Sequence, residues 1–311
     1  MGIVNIVLFN VVLIPCAIVL ALYLLGCRPW TVLWKRSDAP APPMAAWNPA
    51  AIWTAGLACG AAYMTGHALL TQIPKFPPID VGDWIYYAAA AGVLVSLVEA
   101  MRAKVFEASG RTDPWSRRLR AGVMFAAVYL MFGTLLSASM PHSSATFLIA
   151  GLAVAGWMQW ELLAGLSRRV SSAGMISALF PAAIGVSAAL SLSGTARFGM
   201  FGGVICSCMG VLLVASLVTR ALPLARGMIC VTVPVLYLLI LGGRFLAELT
   251  TANAALLFAA PLAAWVGEIP AIQRLRPWQV HTLRIGAVLA LTAAAVAVAY
   301  SGYTPIQSGE E

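Results

Sequence analysis

Residues 121–169 read AGVMFAAVYLMFGTLLSASMPHSSATFLIAGLAVAGWMQWELLAGLSRR, and RRLR at 117–120 stands directly before them. No Lys or Arg occurs between Arg120 and Arg168, and the run is broken near its middle by Met140-Pro141-His142. A helix of about 20 mostly apolar residues crosses a bilayer. The stretch therefore holds two crossings, 121–140 and 145–166, and its basic residues mark a return to the side it left.

The same pattern repeats outward in both directions. Charge-poor apolar runs at 4–27, 49–73 and 84–101 precede the quoted stretch, and runs at 174–192, 198–219, 227–243, 252–266 and 280–300 follow it. The expected fold is all-α: a polytopic membrane protein, a bundle of about ten transmembrane helices. Residues 1–311 form one integral membrane domain with basic loops at 28–48 and 102–120. The runs at 227–243 and 252–266 are the shortest, so whether both cross fully is open from sequence. Composition agrees, with 61% hydrophobic residues, 10% charged and a mean hydropathy of +0.89. Soluble domains carry about 25% charged residues, so no water-facing domain is left over.

Sixteen of the nineteen Lys and Arg residues fall in loops on one side of this ten-span pattern. They are Arg28, Lys35, Arg36, Arg102, Lys104, Arg111, Arg117, Arg118, Arg120, Arg168, Arg169, Arg220, Arg226, Arg274, Arg276 and Arg284. The opposite loops hold only Lys75, Arg197 and Arg244. Short basic loops stay in the cytoplasm, which places both termini outside. No Asn-x-Ser/Thr sequon occurs, which favours a bacterial inner (plasma) membrane.

The charge asymmetry also accounts for the pI near 9.5. Basic residues spread over topology-setting loops do not make the patch that nucleic acid requires, so no nucleic-acid partner is expected. The 102–120 loop should favour anionic lipid headgroups. MGIVNIVLFN lacks a basic n-region and its apolar run exceeds a signal-peptide core, so a retained first helix is expected. No myristoylation signal is present, because position six carries no Ser or Thr.

Motif chemistry is sparse. The six cysteines include no CxxC, and Cys206 and Cys208 would point about 200° apart on a helix. The three histidines are isolated, and no HExxH or His box occurs. No catalytic residue, metal site or cofactor is therefore assigned. Gly56 and Gly60 form a GxxxG step suited to close helix packing. Pro15, Pro181, Pro234 and Pro261 lie inside apolar runs, where each removes a backbone donor.

Ionisable groups inside the bilayer are costly and so mark candidate sites. Glu161, seven residues before Arg168, and His67, near the opposite surface, are the two intramembrane candidates. They lie at opposite depths and form no dyad; Arg284 is the partner considered for Glu161. A second group is expected at the mouth opposite the basic loops: Asp80, Asp83, His142, Arg197, Arg244 and Glu248. Arg244 and Glu248, four residues apart, could pair along a helix. Thr250, Thr251 and Asn253 could cap the ninth helix beside Arg244, giving an anion-facing mouth. Glu99 and Glu268 read as interface residues. A small-solute or ion permease fits these features; a scaffold subunit of a membrane assembly is the alternative, and a lipid-modifying enzyme lacks its signatures. Substrate and oligomeric state are not legible.

Overall fold

In a computed structural model of the chain, residues 5, 7–27, 49–107, 113–219 and 222–302 are described. The 28–48 loop, Arg220 and the 108–112 part of the 102–120 loop lie outside these residues. Ten helices match the ten apolar runs: α1 (Leu8–Cys27), α2 (Pro49–Thr71), α3 (Trp84–Glu107), α4 (Pro114–Ser139), α5 (His142–Leu166), α6 (Ser172–Leu192), α7 (Ala196–Thr219), α8 (Leu224–Leu246), α9 (Thr251–Leu262) and α10 (Pro277–Ser301). No strand occurs among the described residues. The chain is thus a multi-pass helical membrane protein.

Eight of the ten helices are long and apolar enough to cross a membrane. The exceptions are α2 and α9. Helix α2 has the length, 23 residues, but is built on Gly and Ala. Helix α9 has only 12 residues, then continues as a 3-10 helix over Ala263–Glu268. At 1.5 and 2.0 Å per residue the two pieces together reach about 30 Å, the thickness of a hydrocarbon core. Helix α8, expected to be short, has 23 residues, because it continues past Arg226 at one end and Arg244 at the other.

Helix α8 is the axis of the bundle. Between Arg226 and Arg244 it carries no charged residue, and its buried positions fall on every side, as in a helix with no lipid face. Within its most apolar 18-residue window 89% of positions are buried, against 56% in the next most buried span, α6. Around it α1, α2, α3, α4 and α5 run in order, and α9, α10, α6 and α7 close the ring back onto α1 and α2.

Small residues let the ring approach that axis. A side chain at Gly227 would collide with the Ile52 carbonyl of α2, and one at Gly56 would collide with Ser96 of α3. Gly60 meets Val93 of α3, so the GxxxG step packs within the chain. Pro234 leaves the Cys230 carbonyl without its helical donor, and Gly92 of α3 sits against that carbonyl. Near Pro261, Gln159 of α5 donates to the Phe258 carbonyl at 2.8 Å. A neighbouring helix thus shelters the carbonyl that Pro234 frees, and α5 bonds the α9 backbone one residue beyond Leu257, whose carbonyl Pro261 frees.

Local caps match the turn chemistry. Asp113 accepts from the Trp115 and Ser116 backbone N–H groups, with Pro114 opening the first turn of α4. Burial raises the Asp113 carboxyl, but Arg102 at 2.7 Å and the donors of Ser116 and Trp115 outweigh it and hold the group below the usual range. Thr250 caps α9 through the Asn253 N–H, as its sequence suggests. Arg284 of α10, with its side chain against Gly267, donates to the Ala264 carbonyl at 2.9 Å and pairs with Glu268 at 2.9 Å. A cation thereby meets the carbonyl end of the α9 segment.

Candidate functional site

Among the described residues, two charged clusters each link three elements at opposite ends of α3. Asp83 precedes α3 and Glu99 lies 16 residues later, about 24 Å along the helix at 1.5 Å per residue.

The cluster at the arginine-rich end is centred on Arg120, whose side chain is 1% exposed. Arg120 enters on the second turn of α4. Its Nε donates to Glu99 Oε1 of α3 at 2.8 Å, and its Nη1 donates to Glu161 Oε1 of α5 at 2.8 Å. Arg117, one turn earlier on α4, reaches Glu161 Oε2 at 3.5 Å. The Cys230 thiol of α8 lies beside Glu99 and Arg120. Arg120 Nη2 is buried without a partner, and so is the indole N–H of Trp160, the residue before Glu161. Two carboxylates and two guanidiniums thus balance in a place where an unpaired charge would be costly. Glu161 is therefore paired with Arg120 and Arg117, and Arg284 is committed to Glu268. Glu99, read as an interface residue, is part of the same cluster.

The opposite cluster assembles His67 from α2, Asp80 and Asp83 from the turn before α3, and Arg197 from the first turn of α7. Arg197 Nη1 donates to Asp80 Oδ2 at 2.5 Å, and its Nη2 donates to Asp83 Oδ1 at 3.1 Å. His67 Nε2 lies 3.2 Å from that same Asp83 oxygen. The imidazole is fully buried and stacks on Phe201 of α7, with centroids 4.2 Å apart and planes 11° apart. Tyr63 and Tyr86 enclose it from two further sides. His67 Nδ1, Tyr63 Oη and Arg197 Nε are buried without partners. Burial raises the Asp80 carboxyl, but the Arg197 guanidinium and the Gly82 N–H outweigh it and hold the group below its ordinary range.

The structure thus brings His67 together with three members of the expected mouth group and leaves the other three apart. Arg244 is exposed, donates to Thr251 Oγ1 at 2.9 Å and lies 5.9 Å from the Phe245 ring. Glu248 is also exposed, and it forms no ion pair with Arg244 because α8 ends at Leu246 and the chain turns extended at Ala247. The residues expected to make an anion-facing mouth therefore sit at an ordinary capped turn. His142 opens α5 and borders a separate crevice of about 450 Å³ with Trp84, Tyr129 and Thr146.

Between the clusters, midway along α8, lies a small enclosed cavity of about 20 Å³. Gln159, Thr232, Tyr237 and Pro261 are among its lining residues, but the wall is apolar, because the three polar side chains donate to the backbone carbonyls of Phe258, Met228 and Leu152. That volume holds about one water molecule. Among the described residues no group of three or more His, Cys, Asp or Glu side chains is arranged to hold a metal ion. The six cysteines are free thiols. Comparison with protein-family models, curated proteins and solved structures finds no match to the chain.

Proposed function

We propose that the chain is a small-solute or ion permease, described here with both ends shut. The observation that carries this reading is the paired closure: separate salt-bridge clusters tie different helices at opposite ends of a Pro-interrupted central helix. Each cluster joins elements across a helix boundary that would have to part for a path to open. The arginine-rich cluster ties α3 to α4 and α5; the other ties α2 and the turn before α3 to α7. Between them Gln159, Thr232 and Tyr237 border an apolar space of about 20 Å³, too small for a solute but at the depth where one would pass. Ion pairs that break and reform are a common means of switching between two packings.

The test needs no known substrate. Thr232→Cys places a thiol on the central cavity, measured against the natural cysteines as background. The expected result is slow labelling in the otherwise unaltered chain and faster labelling once either closure is weakened. Glu161→Gln should raise the rate for reagent added on the arginine-rich side, and Asp83→Asn for reagent added on the other. A scaffold would leave the thiol unreactive in all three proteins, and that result would defeat the permease reading.

Orientation belongs to the same proposal. Basic loops in the cytoplasm put the arginine-rich cluster at the inner face of a plasma membrane and both termini outside. In intact cells Ser143→Cys, exposed at the start of α5, should react with an impermeant thiol reagent, whereas Gln273→Cys should react only after lysis. The reverse pattern would invert the orientation without touching the site.

A further inference from the structure

We infer that His67 and Asp83 form a binding site for one proton, and that the proton decides which helix holds Asp83. The coupling of this proton to transport rests on the permease reading; the proton site does not.

The geometry points to it in three ways. His67 Nε2 and Arg197 Nη2 converge on a single acceptor, Asp83 Oδ1, at 3.2 and 3.1 Å. One carboxylate oxygen is thus contested by a titratable donor on α2 and a permanent cation on α7. The charge count then leaves the cluster one positive charge short: Asp80 and Asp83 face Arg197 alone while the imidazole is neutral. Finally, the imidazole is sealed by rings from three helices, Tyr63 of α2, Tyr86 of α3 and Phe201 of α7. A hydrated cation would have to displace those rings, whereas a proton would not. Two polar atoms in this pocket, His67 Nδ1 and Tyr63 Oη, are buried with no partner on the protein.

Burial of the ring opposes the imidazolium, and the neighbouring charges act beside that cost. Asp83 and Asp80, from the turn before α3, favour the imidazolium; Arg197, from α7, opposes it. The Tyr63 and Tyr86 hydroxyls are neutral and set only the local polarity. Proton uptake makes His67 a full cation against Asp83 Oδ1, so that Asp83 no longer needs Arg197 as its counter-charge. Arg197 is then left to Asp80, which is nearly half exposed. The α2–α3 tie tightens while the turn before α3 keeps α7 through the part-exposed Arg197–Asp80 pair alone, so the end opposite the arginine-rich cluster is held by one ion pair to α7 instead of two and parts more easily.

The experiment uses the full chain in lipid nanodiscs with isotope-labelled histidine, followed by NMR as pH falls. His142 and His281 serve as internal references, and a His67→Gln spectrum assigns the third signal. The His67 signal should pass from its neutral to its protonated form as pH falls. Asp83→Asn should displace that midpoint to lower pH, because it removes the group that stabilises the imidazolium. Arg197→Gln should displace it to higher pH, because it removes a like charge. Spin labels at Ile79 and Ala196, both exposed, read the switch. In a background with the natural cysteines replaced, their separation should lengthen along the same titration. A His67 signal that stays neutral throughout, or one that Asp83→Asn does not move, overturns the proton site. Titration with a fixed label distance overturns the switch and its coupling role, and the permease reading then stands or falls on Thr232→Cys alone.

Discussion

Arg120→Met is expected to leave little folded protein, and the triple change Arg120→Met, Glu99→Gln, Glu161→Gln is expected to restore it. Arg120 is buried to 1% exposure between two carboxylates from different helices. Removing one partner of a buried ion pair costs about 3–5 kcal/mol, because the charge left behind is neither solvated nor balanced. That is a large share of a total stability of about 5–15 kcal/mol. Arg120→Met leaves Glu99 with the Cys230 thiol but no cation among the described residues, and Glu161 with Arg117 at 3.5 Å and half exposed. Replacing all three charges removes the imbalance together with the attraction, and such exchanges are often neutral. Glu161→Gln alone should fall between, since Arg120 keeps Glu99 at 2.8 Å. Thermal unfolding of the purified protein in detergent measures the series. A triple variant no better than Arg120→Met would show that the site needs this guanidinium for its shape rather than its charge.

This cluster was partly legible in the chain, and the missed part shows where residue counting stops. In the sequence Arg120 reads only as one more loop cation that sets topology. Yet α4 and α5 form an antiparallel pair turning at Met140 and Pro141, so residues equally far from the turn face one another at the same depth. Arg120 and Glu161 are equidistant from that turn. The signal was therefore available in the register of a two-helix hairpin whose ends were already marked by charge. Glu99 was not available in this way, because its pairing depends on how α3 packs against α4.

The opposite cluster shows the same boundary. The grouping of Asp80, Asp83 and Arg197 follows from their common depth at the ends of spans. That Arg244, Glu248 and His142 stand apart from them follows from azimuth, which hydropathy does not encode. His67 was recognised as an intramembrane group on grounds of cost. Its partner was less visible, because the link runs across the α2–α3 connection and needs the short 3-10 turn at Val81–Asp83 to bring Asp83 inward. Helix number and spacing came through because bilayer thickness acts on each span independently. The central place of α8 did not, because burial on every side depends on how the other helices pack around it.

Gly227→Val is expected to be the most damaging change outside the charged clusters. Gly227 lies on the first turn of α8, where that helix touches α2 without any intervening side chain. A Cβ there would overlap the Ile52 carbonyl, which is backbone and cannot rotate aside. The substitution can be accommodated only by moving α8 away from α2, and overpacking a tight interior costs about 1–3 kcal/mol or more. Separation would also pull Gly92 from the Cys230 carbonyl that Pro234 leaves unpaired, exposing a polar group in a place without water. Gly227→Ala should already lower the melting temperature, with Gly227→Val lower still and accompanied by loss of the monodisperse peak on size exclusion. Gly286→Ala and Gly151→Ala are the matched controls: a Cβ at either meets nothing within 4 Å. Each removes a helix-interior glycine, a change that favours a helix by about 1 kcal/mol, so their melting temperatures should hold or rise. If Gly227→Val melted with these controls, α8 would not be the close-packed axis on which the ring of helices rests.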